Sequence, residues 1–221
     1  YLFSRRFNLV NPIELNKKNI TAITITPDGR IWFGTEEGLY YSQNFNGRIE
    51  ITKHIKGREL NIWSLTYDNN YNLWIGTYGS GLFRLDLKTD RLYAIPNYEK
   101  RSKSQAVKYV KSLCADNKNN IWIGFWGMGL ARLGSLTKSF INGNDNANPR
   151  QARLNPLNED YTGWLNEKND TNSLSFDDVW VIHQDKKGRI WIGTDGGGLN
   201  LFDETNGGRF YIWTTGESTK N

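Results

Sequence analysis

Hydrophobic and polar positions along the chain follow a short-strand pattern rather than a helical one. Ile62–Asp68 alternates over a few residues, as a strand with one buried face does. Turn chemistry follows such segments in Pro27-Asp28-Gly29, Asn69-Asn70, Asn117–Asn120 and Lys186-Lys187-Gly188. Each turn leads into a continuous apolar run such as Leu73-Trp74-Ile75-Gly76-Thr77, which lacks polar alternation and predicts a strand buried on both faces. A glycine-rich turn then leads to a third strand, for example Gly81–Asp86. Arg91–Ile95 and Arg209–Trp213 read as fourth strands. Helical spacing appears nowhere at useful length.

The pattern repeats. Aligned on Trp32, Trp74, Trp122 and Trp191, the chain places Ile20, Ile62, Val110 and Val179 twelve residues earlier and Ile23, Leu65, Leu113 and Ile182 nine residues earlier. Ile31, Leu73, Ile121 and Ile190 directly precede the tryptophans. Gly34, Gly76, Gly124 and Gly193 lie two residues after them, and a Gly-Leu pair closes each copy at Leu39, Leu82, Leu130 and Leu199. Four antiparallel strands per unit, repeated and buried on both sides, predict an all-β fold: a β-propeller of four-stranded antiparallel blades. The expected boundaries are 20–61, 62–109, 110–178 with a long loop over 142–178, and 179–221, with 1–19 as the remnant of a preceding blade. Four blades and a remnant are too few for a common seven-bladed ring, so the chain reads as an incomplete part of a larger propeller. Its uncovered end blades predict association, as in a homodimer.

Composition narrows the reading. The 221 residues are 38% hydrophobic, enough for a sizeable core, and carry a net charge of +5 without a dense Lys/Arg run, which argues against nucleic acid. One cysteine, Cys114, excludes an internal disulfide and a Cys-based zinc site. No stretch approaches the ~18 apolar residues of a membrane-spanning helix.

The segment Asp185–Asp203 (DKKGRIWIGTDGGGLNLFD), with its lead-in Asn172–Ser175, resembles the two-component regulator propeller repeat. The first copy departs from the pattern at Thr35–Gly38, one residue shorter. The resemblance implies a periplasmic sensor region of a hybrid two-component system. Such regions pair seven-bladed propellers with an immunoglobulin-like domain ahead of a membrane helix and a histidine kinase, and they recognise oligosaccharides. It implies no cofactor and no enzymatic activity for this piece, and membrane attachment only through other parts of the parent.

Antiparallel strands place the turn between second and third strands on the same face as the link into the next blade. Positions that vary between copies on that face are free for binding. They include Tyr78, Trp126 and Asp195, aligned with Glu36, in the turns, and Trp63, Lys111 and Trp180, aligned with Thr21, as second residues of first strands. Aromatic faces beside polar groups suit a sugar ring; the alternative for Trp63 and Trp180 is packing between blades. The loop 142–178 adds Arg150, Arg153, Tyr161 and Trp164, and the link 96–108 adds Lys100, Arg101, Lys103 and Lys108. These basic groups suggest an acidic oligosaccharide, against the alternative of solvated loop charge.

Other chemistry finds little support. No Gly-x-Ser-x-Gly, His-Glu-x-x-His or phosphate-cradling loop is present. Asp68–Asn72 imitates the opening of a calcium loop but lacks its sixth-position glycine and final glutamate, so a hairpin turn is expected. His183 aligns with Thr24, Thr66 and Cys114 and reads as a structural position, and Cys114 as a buried, inert thiol. A carbohydrate-active propeller enzyme and a protein-binding scaffold remain the competing functions.

Overall fold

In the computed structural model, residues 18–45, 48–55, 59–95, 108–134 and 161–214 are described. They form four four-stranded sheets, each with its strands in chain order. Blade 1 contains β1 (Ile20–Ile25), β2 (Ile31–Thr35), β3 (Gly38–Phe45) and β4 (Arg48–Lys53). Blade 2 contains β5 (Ile62–Tyr67), β6 (Asn72–Thr77), β7 (Leu82–Asp86) and β8 (Arg91–Ile95). Blade 3 contains β9 (Val110–Ala115), β10 (Ile121–Phe125), β11 (Leu130–Leu133) and β12 (Tyr161–Trp164). Blade 4 contains β13 (Val179–Gln184), β14 (Ile190–Thr194), β15 (Gly198–Asp203) and β16 (Arg209–Trp213). Every pairing is antiparallel, and the first strands β1, β5, β9 and β13 lie against one another in succession, which makes them the innermost strands of a propeller. Among the described residues no helix is long and apolar enough to cross a membrane.

The apolar core lies between blades. Trp32 packs with Leu60, Ile62, Leu65 and Leu73 of the blade 2 side, Trp74 with Val110, Leu113 and Ile121 of blade 3, and Trp122 with Val179, Ile182 and Ile190 of blade 4. The repeated glycine makes this close approach possible. A Cβ on Gly124 would lie 2.5 Å from Val179 Cγ1, and one on Gly34 would lie 2.5 Å from Ile62 Cγ2. Among the described residues Gly193 meets only Val181 of its own blade. The open ends differ accordingly: Ile20 is 49% exposed where its counterparts Ile62, Val110 and Val179 are fully buried.

A second repeated device fixes each tryptophan. Asp68 Oδ2 accepts from Trp74 Nε1 at 2.8 Å, Asp116 Oδ2 from Trp122 Nε1 at 2.9 Å and Asp185 Oδ2 from Trp191 Nε1 at 3.0 Å. The other oxygen of each aspartate accepts backbone N–H groups across the turn between first and second strands, as from Asn70 and Asn72 to Asp68. In blade 1 the acceptor is Thr26 Oγ1, 3.2 Å from Trp32 Nε1, while its hydroxyl donates to Asp28. The Asp68–Asn72 segment is therefore a hairpin turn that anchors an indole, and among the described residues no cluster of His, Cys, Asp and Glu could hold a metal ion.

Where the sequence departs from the repeat, so does the fold. The turn after β2 is one residue tighter, with Thr35 Oγ1 donating to the Gly38 carbonyl three residues on, whereas Thr77 and Thr194 reach Gly81 and Gly198 four residues on. The segment read as a loop over 142–178 contains the fourth strand of blade 3, β12. His183 is exposed on β13 rather than filling a packed position, because the described chain sets no blade against that side. Cys114 lies in β9, partly buried against the blade 4 core, and burial pushes its thiol pKa up, which keeps it protonated and unreactive.

Candidate functional site at the mouth of the channel

The innermost strand of every blade carries a β-bulge at its second residue. Pairing skips from Ile20 to Ala22, from Ile62 to Ser64, from Val110 to Ser112 and from Val179 to Val181. The unpaired residues are Thr21, Trp63, Lys111 and Trp180. A bulge bends the strand and re-aims the extra side chain. Here it sets side chains of three kinds, a threonine, a lysine and two tryptophans, at the start of the innermost strands. Thr21 fills its place by directing its one hydroxyl hydrogen between the carbonyls of Gly34 (3.0 Å) and Ile62 (2.5 Å). The other three are large and converge.

The turns between second and third strands close over the same end. Tyr78 N–H donates to the Asn61 carbonyl (2.8 Å), Trp126 N–H to Tyr109 (3.1 Å) and Asp195 N–H to Asp178 (2.9 Å), so each turn is clipped to the link that enters its own blade. Gly79 and Gly81 N–H groups both reach the Lys108 carbonyl, tying the blade 2 turn to the blade 3 link. Turns and links thus share one face, and the clips carry Tyr78, Tyr109 and Trp126 toward Trp63.

The result is an aromatic cluster. Ring centroids of Trp63 and Trp126 are 5.7 Å apart and stacked; Trp63 and Tyr78 are 4.6 Å apart, and Tyr78 and Tyr109 are 4.8 Å apart, edge to face. The Lys111 ammonium lies 3.5 Å from the centroid of Trp180, 5.2 Å from that of Trp126 and 5.8 Å from that of Trp63, within cation–π range of all three. Asp178 Oδ1 faces the same ammonium at 3.6 Å. Burial pushes the Asp178 carboxyl pKa up, with Lys111 opposing and the Asp195 charge adding to the rise. Trp180, Trp126 and Tyr78 all remain exposed.

Of the residues the sequence marked, Trp63, Tyr78, Lys111, Trp126 and Trp180 come together, with Asp195 at the rim. Tyr161 and Trp164 do not join them. Trp164, on β12, stacks on Trp122 at 5.6 Å, packs against Phe202 and donates its indole N–H to the Gly207 carbonyl, so its ring belongs to the contact between blades 3 and 4. Tyr161 opens the same strand and packs against the core between blades 2 and 3, where burial pushes its phenol pKa up. Arg150 and Arg153 lie outside the described residues, as do Lys100, Arg101 and Lys103. Tyr109 and Asp178 were not singled out. Both occupy the position before the first strand, where the other copies have Asn19 and Asn61, and a comparison of that position between repeats would have found them.

His54 and the charged residues between blades 3 and 4 lie away from the cluster. His54 sits between Trp32 and Tyr41 with Nε2 2.9 Å from Asp90 Oδ1, and burial holds its pKa below the ordinary imidazole value. On the opposite face, a crevice between blades 3 and 4 is lined by Asn117, Arg132, Gln184 and Glu204. Its charges are paired within the fold, with Glu204 bridging Arg132 and Lys118.

The family model described as the two component regulator propeller matches residues 14–37, 57–79 and 173–196. Three of the four blades thus carry a segment that matches this propeller repeat. Each matched segment of this repeat spans the approach to a first strand or its continuation through the second strand and its turn, the stretch that holds the bulge, the tryptophan and the glycine. No curated protein is significantly similar. Among solved structures, PorZ, a surface component of the type-IX secretion system of Porphyromonas gingivalis, is similar with a TM-score of 0.61 and 13% identity over 98% of this chain and 30% of its own. Virginiamycin B lyase from Staphylococcus aureus is similar with a TM-score of 0.55 and 13% identity over 89% of this chain and 56% of its own. A structure described as the extracellular domain of a hybrid two component system from B. thetaiotaomicron aligns with a TM-score of 0.45 and 21% identity over 87% of this chain and 29% of its own. The chain thus spans about half the length of the lyase, and less of the other two. At these identities the likeness to PorZ and to the lyase is one of fold.

Proposed function

We propose that this propeller is the ligand-sensing part of an extracytoplasmic, periplasmic region of a two-component signalling protein. It binds an oligosaccharide at the channel mouth and relays binding to a histidine kinase elsewhere in the parent. The observation that carries the proposal is the cluster itself: repeat-independent residues, each placed by a repeat-dependent bulge or turn, form exposed indole faces beside a lysine and an aspartate. Indole faces stack on the apolar faces of sugar rings, and the flanking polar groups select hydroxyl orientation. The repeat family supports the signalling context. Relay requires that the ligand bind the signalling states with different affinities, and a site at the ends of the innermost strands of three successive blades is sensitive to small changes in their spacing.

Isothermal titration of an oligosaccharide panel against the chain, alone and within its full-length protein, tests the proposal. Trp63→Ala and Trp126→Ala each weaken binding by about tenfold or more, on the scale of one to two lost stacking contacts. Binding undiminished by both substitutions places the ligand elsewhere.

A further inference from the structure

We infer that the cluster is built for an uncharged oligosaccharide rather than an acidic one, with Asp178 as the residue that sets this selectivity. The inference rests on the sensing reading above and deepens it.

Lys111 is in contact with the aromatic cluster, and on sequence grounds it would be the natural partner for a ligand carboxylate or sulfate. Its position argues otherwise. Its side chain is only 14% exposed and that of Asp178 only 12%, so the pair is largely removed from water. Among the described residues Asp178 Oδ1 accepts no hydrogen bond, and the ammonium at 3.6 Å compensates its charge. The other sides of the ammonium face the rings of Trp180, Trp126 and Trp63. An acidic ligand that recruited Lys111 would leave the Asp178 carboxylate buried without a counter-charge, which is strongly unfavourable. It would also bring a further negative charge toward Asp178 and Asp195, whose backbone clip holds the two aspartates side by side. Lys111 thus serves as a neutralised post between Trp180 and the stacked pair Trp63 and Trp126. An uncharged sugar loses nothing by meeting such a surface, because stacking needs no counter-ion.

The test is a matched set of probes titrated into the full chain by calorimetry: tetragalacturonate, its methyl ester, and the neutral xylotetraose and mannotetraose. Wild type binds at least one neutral probe and prefers the methyl ester over tetragalacturonate by about tenfold or more. Asp178→Asn frees Lys111 without changing the shape of the site and reverses that preference. Lys111→Met combined with Asp178→Asn removes both charges and brings the affinities for tetragalacturonate and its methyl ester to within about threefold of each other. Tighter binding of tetragalacturonate by wild type, or an Asp178→Asn variant with an unchanged acidic-to-neutral ratio, overturns the inference while leaving glycan sensing intact. Failure of every neutral and acidic probe to bind overturns the sensing reading, and the inference with it.

Discussion

Substituting Asp68 by alanine isolates the device that anchors each inter-blade tryptophan. In the native turn Asp68 is buried and accepts hydrogen bonds from Trp74 Nε1 at 2.8 Å and Asn72 Nδ2 at 2.9 Å, and from the backbone N–H groups of Asn70 at 2.8 Å and Asn72 at 3.0 Å. Alanine strands the first two donors in the core, at about 1–3 kcal/mol each. The two backbone donors sit at a turn, where water can replace part of what is lost. The expected cost is therefore about 3–5 kcal/mol, enough to unfold a marginal domain. Asp185→Ala provides the internal control: Trp191 is only half-buried and Asp185 lies at the open side of blade 4, so water reaches the stranded donors and the cost is distinctly smaller. Urea denaturation followed by tryptophan fluorescence measures both variants against wild type. A loss of less than about 1 kcal/mol for Asp68→Ala, or a larger loss for Asp185→Ala than for Asp68→Ala, would refute the claim that the buried clamp holds the blades.

Other consequences are as specific. Trp164→Ala costs about 3 kcal/mol of stability, as expected for a large aromatic removed from a packed interface, yet leaves glycan affinity unchanged, the reverse of Trp63→Ala; denaturation and titration of the two variants side by side check this. Stability falls on acidification in two stages. Neutral, partly buried His54 contributes above its ordinary pKa of 6.5 and loses that contribution as pH drops below it. The carboxyls of Asp185, held down by the Trp191 indole, and Glu204, held down by Arg132, contribute above their ordinary values of 3.8 and 4.5 and lose it as pH falls further. Melting temperature against pH measures the effect, and Asp185→Asn flattens the acid limb; a melting temperature that rises steadily from pH 7 to pH 3 contradicts the assignment. Finally, exposed Ile20 of blade 1 matches the approach to Gly193 of blade 4, which no other blade fills among the described residues, in the same way that Val110 matches Gly76. The chain is expected to associate end to end, and Ile20→Asp to weaken this. Light scattering that reports a sharp monomer at high concentration sinks the expectation.

The fold was largely legible in the sequence because a propeller repeats its constraints. Each blade needs an indole to pack on the next, a glycine to admit a β-branched side chain and a Gly-Leu turn, and these recur at fixed spacing. The aromatic cluster was legible for the complementary reason: Trp63, Lys111 and Trp180 break the repeat at a position the backbone treats alike in every blade. What escaped had no such register. Tyr161–Trp164 carries no landmark of the repeat, so a strand was read as loop and Trp164 as a ligand contact, although its ring completes the packing of Trp122. The aspartate six residues before each tryptophan was visible as a turn former, yet its bond to the indole joins two strands and only the folded turn reveals it. The charge state of the site was equally hidden, since the pairing of Lys111 with Asp178 spans two blades.

The most direct measurement is the structure of the chain bound to an oligosaccharide that it retains in solution. The account predicts a sugar ring lying flat on Trp63 or Trp126, about 4 Å from the indole plane, with Lys111 still against Asp178. A ligand seated in the Arg132–Glu204 crevice on the opposite face, or one that touches none of Trp63, Trp126 and Trp180, would contradict it.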